Sequence, residues 1–196
     1  MKLYIATSNK GKIKEFENLL SDINVELHTP ADLEFYSSPE ENGDSFVANA
    51  RIKAKSLAAM VNDAWVVADD SGLECEGLEG MPGIHSARYA GANARDAENT
   101  AKVLKMISLR TKNRNARFVC ALVAIDPDGN EHIFEGELKG SIASKQSGQT
   151  GFGYDPIFIP TDEEKTLAEL GPAVKNRLSH RAKAIKVLKE ELRKHL

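Results

Sequence analysis

The sequence is poor in cysteine: its 196 residues include only Cys75 and Cys120. The two lie 45 positions apart, in no CxxC spacing, and no cluster of histidines accompanies them. A disulfide framework or a zinc site would need more thiols or imidazoles at closer spacing. The scarcity argues against both and favours a reducing compartment, so we expect a cytoplasmic protein.

Long apolar runs are also missing. The longest, residues 118–125, has eight residues, whereas a transmembrane helix needs about 20. The N-terminal stretch MKLYIA turns polar at Thr7, too early for the core of a signal peptide. We therefore expect neither a membrane span nor a membrane partner.

The composition that remains, 41% hydrophobic and 28% charged, is that of an ordinary globular protein. At roughly 150 residues per domain, we expect residues 1–196 to form a single two-lobed domain. The net charge of −3 hides an asymmetry, because residues 175–196 carry eight Lys/Arg and two acids (+6), which leaves −9 for the rest. This split indicates a polyanionic ligand, although a solvated basic helix would give the same pattern.

Hydrophobic periodicity predicts alternating strands and helices. We expect strands at 3–6, 64–68, 118–125 and 132–138. We expect helices at 13–20, 94–109 and 179–196, and a further helix that begins at residue 46. Asp44 or Ser45 is expected to cap the second helix, and the third should turn Ala97, Ala101 and Leu104 towards the core. A hairpin turn at 126–130 joins two of the strands. The class is therefore α/β, with a mixed β-sheet flanked by helices.

A short polar loop is predicted between the first strand and the first helix. It consists of Thr7, Ser8, Asn9, Lys10, Gly11 and Lys12. Backbone N–H groups and the helix dipole favour an anion at a helix N-terminus, and two lysines add positive charge. The loop is not a Walker A motif, because GxxxxGK[ST] is absent. It predicts either an anion-binding loop or an ordinary capped turn.

Two pairs of carboxylates are candidates for metal binding. Asp69 and Asp70 follow a predicted buried strand, at whose carboxyl end open α/β sheets bind ligands. Glu40 and Glu41 lie in a loop just before a helix. A few carboxylates completed by water and phosphate are the usual ligands of Mg²⁺. Each pair taken alone also fits an ordinary turn or loop, and both interpretations stay open.

A second group of candidates lies near the C-terminus. Glycines and aromatics alternate at residues 151–156, where Phe152 or Tyr154 could stack on a base or fill the core. Lys175, His180 and Arg181 lie before or at the start of the last predicted helix. Cations there oppose the helix dipole, at about 0.3–1 kcal/mol each, so we expect them to hold an anion or a carbonyl oxygen.

Five segments together resemble the non-standard purine NTP pyrophosphatases, the Ham1-like family of inosine and xanthosine triphosphatases. They are TSNKGKIKEF, EENGDSFVANARIKA, ADDSGLECEGLEGMPGIHSARYAG, GFGYDPIF and LSHRAKA, in order from residue 7 to 184. Each segment alone is a weak signal, whereas five in register over nearly the whole chain are specific. The resemblance implies a mixed sheet in two lobes with the active-site cleft between them, and a homodimer.

The resemblance also implies roles for individual residues. Residues 7–12 and Lys53 would hold the triphosphate, Glu41 and Asp70 would bind Mg²⁺, and Asp70 would act as the base for the attacking water. The remaining substrate contacts would be Ser71, Phe152, Gly153, Tyr154, Asp155, Lys175, His180 and Arg181. One departure is Thr150, since the family usually carries two glycines before FGYD. A positive φ there would be strained, although we expect the loop to tolerate threonine.

The implied reaction is Mg²⁺-dependent hydrolysis of ITP, dITP or XTP to the monophosphate and pyrophosphate, which cleanses the nucleotide pool. Alternatives are a pyrophosphatase for other modified or pyrimidine NTPs and a sensor that binds nucleotides without hydrolysing them. Nucleic-acid binding through the basic C-terminus is disfavoured. Ile185, Leu188 and Leu192 predict that this helix packs against the core.

Overall fold

The computed structural model describes residues 1–196 and contains one six-stranded mixed sheet. The strands are β1 (Lys2–Ile5), β2 (Glu26–His28), β3 (Trp65–Cys75), β4 (Asn115–Ile125), β5 (Glu131–Ile142) and β6 (Phe158–Pro160). Their order is β2-β1-β3-β4-β5-β6. β1 pairs parallel to β2 and β3, and β5 pairs antiparallel to β6. The predicted α/β class with a mixed sheet is confirmed.

Six helices accompany the sheet. They are α1 (Lys10–Leu19), α2 (Phe46–Ala58), α3 (Asp96–Arg110), α4 (Leu167–Leu170), α5 (Pro172–Leu178) and α6 (His180–Leu192). Of the two caps predicted for α2, the side chain of Ser45 accepts from the backbone N–H of Ala48 at 3.2 Å. None of the helices combines the length and the apolar character that crossing a membrane would require.

The chain forms two compact units, each built from separated segments. The first comprises residues 1–70, 120–136 and 181–196, and the second comprises 71–119 and 137–180. Strands β3, β4 and β5 each continue from one unit into the other. The single two-lobed domain and the active-site cleft between its lobes stay predictions.

The first unit has its apolar side chains in two clusters. One joins β1, β3 and β4 to α1 and α6, and includes Phe16, Trp65 and Leu122. Ile185, Leu188 and Leu192 are buried in it, as predicted from the spacing of the last helix. The other cluster packs α2 against the sheet through Ala50, Ala54 and Leu57. α6 is therefore a core element of this unit.

The second unit has a core of its own, and the predicted core face of α3 is right only at Leu104. Leu104 is partly buried and packs against this core, whereas Ala97 and Ala101 are exposed. The buried positions are Val103 and Ile107, together with two polar residues, Asn99 and Thr100. Asn99 is buried because its side-chain amide binds the backbone at Ala87 and Ala90. Apolar spacing alone could not reveal a polar residue on the core face.

Several predicted boundaries are also wrong: β5 extends to Ile142, α6 ends at Leu192, and two further differences affect the candidate site. α1 begins at Lys10 rather than residue 13, since Asn9 caps it by accepting from the Lys12 N–H at 3.1 Å. β3 continues to Cys75 instead of ending before Asp69, so the DDSG sequence is extended strand and not a turn. Strand propensity is a weak prior that tertiary contacts override. Here Lys12 and Arg181 bind the carboxylate of Asp69, and Lys53 binds that of Asp70.

Candidate functional site

The loop after β1 leads directly into the N-terminus of α1. Thr7 Oγ1 accepts from the Asn9 N–H at 3.2 Å, and Asn9 in turn caps the helix. Ser8 and Lys10 are exposed, and Gly11 is partly exposed. The first turn carries no acidic residue, so no carboxylate of the helix offsets the positive end of its dipole. The loop has the geometry of an anion site as well as that of a capped turn.

Lys12 is the third residue of α1, and its side chain is bound by a buried carboxylate. Its ammonium forms a short ion pair with Asp69 of β3. Asp69 Oδ2 also accepts from Arg181 Nε at 2.8 Å and from the Cys120 thiol at 3.2 Å. Arg181 pairs in addition with Glu15 of α1. We call these five residues the Asp69 network.

The Asp69 network balances its charges inside the first unit. Two cations face two carboxylates, and Asp69, Cys120 and Arg181 are almost completely buried. Burial raises the pKa of Asp69, but Arg181 and Lys12 outweigh it and hold that pKa well below its usual range. Burial and the Asp69 charge raise the pKa of the Cys120 thiol, so it stays protonated and donates. The network thus keeps Asp69 ionised.

A second cluster surrounds the ammonium of Lys53, which α2 positions. Lys53 Nζ lies 3.4 Å from Glu41 Oε2 and 3.4 Å from Asp70 Oδ1, and it donates to the Asp69 carbonyl at 2.8 Å. Glu40 is exposed, so of the two glutamates only Glu41 joins Asp70 here. We call Glu41, Lys53 and Asp70 the Lys53 cluster.

Asp70 is the residue of this cluster that most resembles a metal ligand. Its Oδ2 is buried and has no hydrogen-bond partner. Burial raises the pKa of Asp70, and Lys53 opposes that rise only in part. Two carboxylates and an orphaned oxygen fit a hard cation such as Mg²⁺, which takes one or two carboxylates plus water and phosphate. No group of three or more acidic, His or Cys side chains forms a complete metal cage.

The second unit contains the predicted Gly/aromatic loop. Asp155 Oδ2 accepts from the Phe152 N–H at 2.9 Å and from Lys175 Nζ at 2.6 Å. Lys175 Nζ also lies 4.0 Å from the centroid of the Phe152 ring. Gly151 has a φ of +80°, and a Cβ there would lie 2.1 Å from Asp155 Oδ2. Only glycine allows this close approach.

The two aromatics of this loop differ in exposure. Tyr154 is buried in the core of the second unit, and its hydroxyl donates to the Ser86 carbonyl at 2.7 Å. Phe152 is partly exposed, as is Gly153. Of the two predicted roles, Tyr154 therefore fills the core, whereas Phe152 keeps an accessible ring surface on which a base could stack.

The remaining candidates belong to different elements. His180 opens α6, and its ring stacks on Phe118 with centroids 4.7 Å apart. Ser71 follows Asp70 in β3 and is partly exposed. Thr150 carries no left-handed strain, since the non-glycine residues with positive φ are Asp63, Glu79 and Asp162. The Thr150 hydroxyl instead donates to the Ala168 carbonyl at 2.6 Å.

The structure groups the predicted residues into three sets. Lys12 and Arg181 meet in the Asp69 network, Glu41, Lys53 and Asp70 meet in the Lys53 cluster, and Phe152, Asp155 and Lys175 meet in the second unit. Sequence reasoning missed Glu15 and Cys120. The signal available for Glu15 was its position on α1 one turn after Lys12. Nothing local marks Cys120, which lies in an apolar strand.

In the first unit, a helix N-terminus and an ammonium shared by two carboxylates define a candidate phosphate- and metal-binding site of an α/β enzyme. The Ham1 family model matches residues 3–191. A dITP/XTP pyrophosphatase from Bdellovibrio bacteriovorus is 52% identical over 194 residues, covering 98% of each chain. One from Listeria monocytogenes is 44% identical over 97% of this chain and 94% of its own.

Solved structures agree with these sequence matches. The Ham1 protein of Staphylococcus aureus superposes with a TM-score of 0.87 at 39% identity, and each chain is covered completely. The chain belongs to the Ham1 family.

Proposed function

We propose that this protein hydrolyses non-standard purine nucleoside triphosphates, namely ITP, dITP and XTP, to the monophosphate and pyrophosphate. The observation that carries the proposal is the Lys53 cluster, where Asp70 Oδ2 is buried without a hydrogen-bond partner. Relatives named dITP/XTP pyrophosphatase that align over nearly the whole chain support the same reaction. The biological role is the cleansing of the nucleotide pool.

Glu41 and Asp70 would hold Mg²⁺, with water and phosphate oxygens completing its coordination. When bound, this ion neutralises phosphate charge and makes a bound water more acidic. Asp70 would also accept the proton of the attacking water. Lys53 keeps the two carboxylates together through its contacts with both.

Residues 7–12 bind the phosphates in this proposal. The N–H groups at the start of α1 face the growing negative charge on the leaving pyrophosphate, and Lys10 adds a further cation. Lys12 is already paired with Asp69, yet an ammonium has three donors, and those not directed at Asp69 can reach a phosphate oxygen. Asp69 thereby fixes the position of the Lys12 ammonium.

The second unit supplies the base contacts. Phe152 stacks on the purine, Asp155 holds Lys175 in place, and His180 and Ser71 complete the substrate contacts. Lys175 and Arg181 carry only donors, and those not directed at Asp155, Asp69 or Glu15 suit the 6-carbonyl of hypoxanthine or xanthine and not the 6-amino group of adenine. Leaving such donors unpaired costs about 1–3 kcal/mol each, which favours 6-oxopurines.

Incubation with ITP and Mg²⁺ tests the reaction directly. We expect IMP and pyrophosphate in equal amounts, and a kcat/KM for ITP and XTP well above that for ATP or CTP. Bound nucleotide without any pyrophosphate would indicate a sensor. A higher kcat/KM for CTP or another pyrimidine would indicate a different NTP pyrophosphatase.

The proposal extends to the state of the protein in the cell. The family resemblance supports a homodimer, and two buried free cysteines support a reducing cytoplasm. No nucleic-acid or membrane partner is part of the proposal. Sedimentation of the purified protein measures the oligomeric state, and a monomer at all concentrations would contradict the dimer.

A further inference from the structure

Asn49 is a buried polar residue that belongs to neither the Asp69 network nor the Lys53 cluster. It lies in α2 with none of its surface exposed. Lys53 follows four residues later, and residues at this spacing are neighbours on one face of a helix. Asn49 therefore shares its face of α2 with the ammonium that binds Glu41 and Asp70.

The orientation of the Asn49 amide is set by the backbone. Asn49 Oδ1 accepts from the N–H of Gly43 at 2.8 Å. A backbone N–H can only donate, so this bond places the oxygen towards Gly43 and the Nδ2 group on the opposite side. Asn49 Nδ2 is buried and has no hydrogen-bond partner. Such an unmade bond destabilises a protein unless something else accepts from the group.

The same contact joins Asn49 to a predicted metal ligand. Gly43 follows Glu41 by two residues, so Asn49 Oδ1 restrains the loop that carries Glu41. A side chain at Gly43 would not fit, since its Cβ would lie 2.7 Å from Ala48 Cβ. Lys53 connects α2 to β3 through its contact with Asp70. Each of these elements contains a buried atom without a hydrogen-bond partner, the donor Asn49 Nδ2 in α2 and the acceptor Asp70 Oδ2 in β3.

We propose that Asn49 is a substrate-binding residue whose Nδ2 donates to a phosphate oxygen of the nucleotide. The inference rests on the proposed function and adds a phosphate contact to it. Phosphate oxygens are acceptors only and match a group that can only donate. The ligand chemistry is thus a metal-bound polyphosphate, and Asn49 both restrains the Glu41 loop and binds the substrate.

Two substitutions separate these two contributions. Asn49→Asp keeps an oxygen for the Gly43 N–H but replaces the donor by a carboxylate oxygen, whereas Asn49→Ala removes both. The probes are Mg²⁺ alone and inorganic pyrophosphate with Mg²⁺, measured by calorimetry, with circular dichroism as the check of folding. Asn18→Asp and Asn18→Ala are matched controls, because Asn18 is an exposed residue of helix α1.

Both Asn49 variants should bind pyrophosphate about tenfold or more weakly, the size expected when one hydrogen bond to a charged group is lost. Asn49→Asp should bind Mg²⁺ no more weakly than the unaltered protein, and its KM for ITP should rise more than its kcat falls. The Asn18 controls should match the unaltered protein in both measurements.

Pyrophosphate binding by Asn49→Asp at the unaltered affinity would overturn the inference, since it would show that Asn49 only restrains the loop. Unaltered binding by Asn49→Ala would overturn it as well. If Asn49→Ala does not fold, Asn49→Asp decides alone. Failure of the unaltered protein to bind pyrophosphate with Mg²⁺ would contradict the proposed function itself, and the inference with it.

Discussion

Arg181 is a buried cation that serves two carboxylates at once, Asp69 and Glu15. Removing one partner of a buried ion pair leaves an uncompensated charge, which usually costs about 3–5 kcal/mol. We expect Arg181→Met to lower the free energy of unfolding by that amount, measured by urea denaturation at pH 7. Arg95→Met should change it by less than about 1 kcal/mol, since the Arg95–Glu98 pair is exposed. Equal losses of unfolding free energy in Arg181→Met and Arg95→Met would contradict a stabilising role for the Asp69 network.

Asp70 is the residue on which the chemistry depends. Asp70→Asn keeps the size of the side chain but removes the charge and the ability to take a proton. We expect kcat for ITP to fall by about 10²–10⁴-fold or more, the usual contribution of a general base. Nucleotide binding, followed as a thermal shift with ITP, should persist. Turnover at the unaltered rate would remove Asp70 from its assigned role.

At the scale of elements, the hairpin turn between β4 and β5 depends on Asp126. Burial raises the pKa of Asp126, but hydrogen bonds from Asn130, His132 and the backbone N–H of Asp128 outweigh it, so the pKa is lowered from 3.8 to about 2. A group whose pKa is lower in the folded state than in the unfolded state stabilises the fold at pH values above its unfolded-state pKa. That stabilisation is lost as the pH falls through the folded-state pKa.

Asp126→Asn should therefore destabilise the protein at pH 7 by about 1–2 kcal/mol, as expected for hydrogen bonds to a charged group. The difference between the variant and the unaltered protein should shrink as the pH falls from 4 towards 2. Urea denaturation at several pH values measures it. A difference independent of pH would mean that the Asp126 charge does not stabilise the turn.

The loop at residues 151–156 depends on close approach as well as on backbone conformation. Gly151 and Gly80 both have positive φ, +80° and +84°, but only a Cβ at Gly151 would meet other atoms. Gly151→Ala should destabilise the protein by about 1–3 kcal/mol more than Gly80→Ala, since overpacking adds to the shared strain. It should also raise the KM for ITP. Equal losses of stability would show that the loop relaxes around the added methyl group.

The elements also show what a single sequence can predict. Residues 118–125 are predictable as a strand because they are apolar throughout, and α6 is predictable because its apolar residues repeat at helical spacing. The end of β3 was missed because Asp69 is stabilised by Lys12 and Arg181, which lie 57 and 112 residues away. Local patterns contain no information on such partners. The orphaned Asn49 Nδ2 was likewise visible only in the structure.

At the scale of the whole molecule, the fold should not depend on the metal. The apolar clusters of both units form without it, and no group of three or more acidic, His or Cys side chains converges as in a structural metal site. We expect EDTA to abolish pyrophosphate release from ITP and Mg²⁺ to restore it. The circular dichroism spectrum should stay unchanged throughout. Loss of helical signal in EDTA would assign the metal a structural role.

The segmented composition of the first unit has a consequence for biosynthesis. Its last segment, residues 181–196, carries Leu188 of the core and the guanidinium that binds Asp69. A ribosome synthesises this segment after the whole of the second unit, so the first unit cannot be completed before residues 181–196 have been made. Until then, Arg181 is not available to pair with Asp69 and Glu15. A nascent chain truncated before α6 is therefore expected to be a substrate for chaperones and proteases.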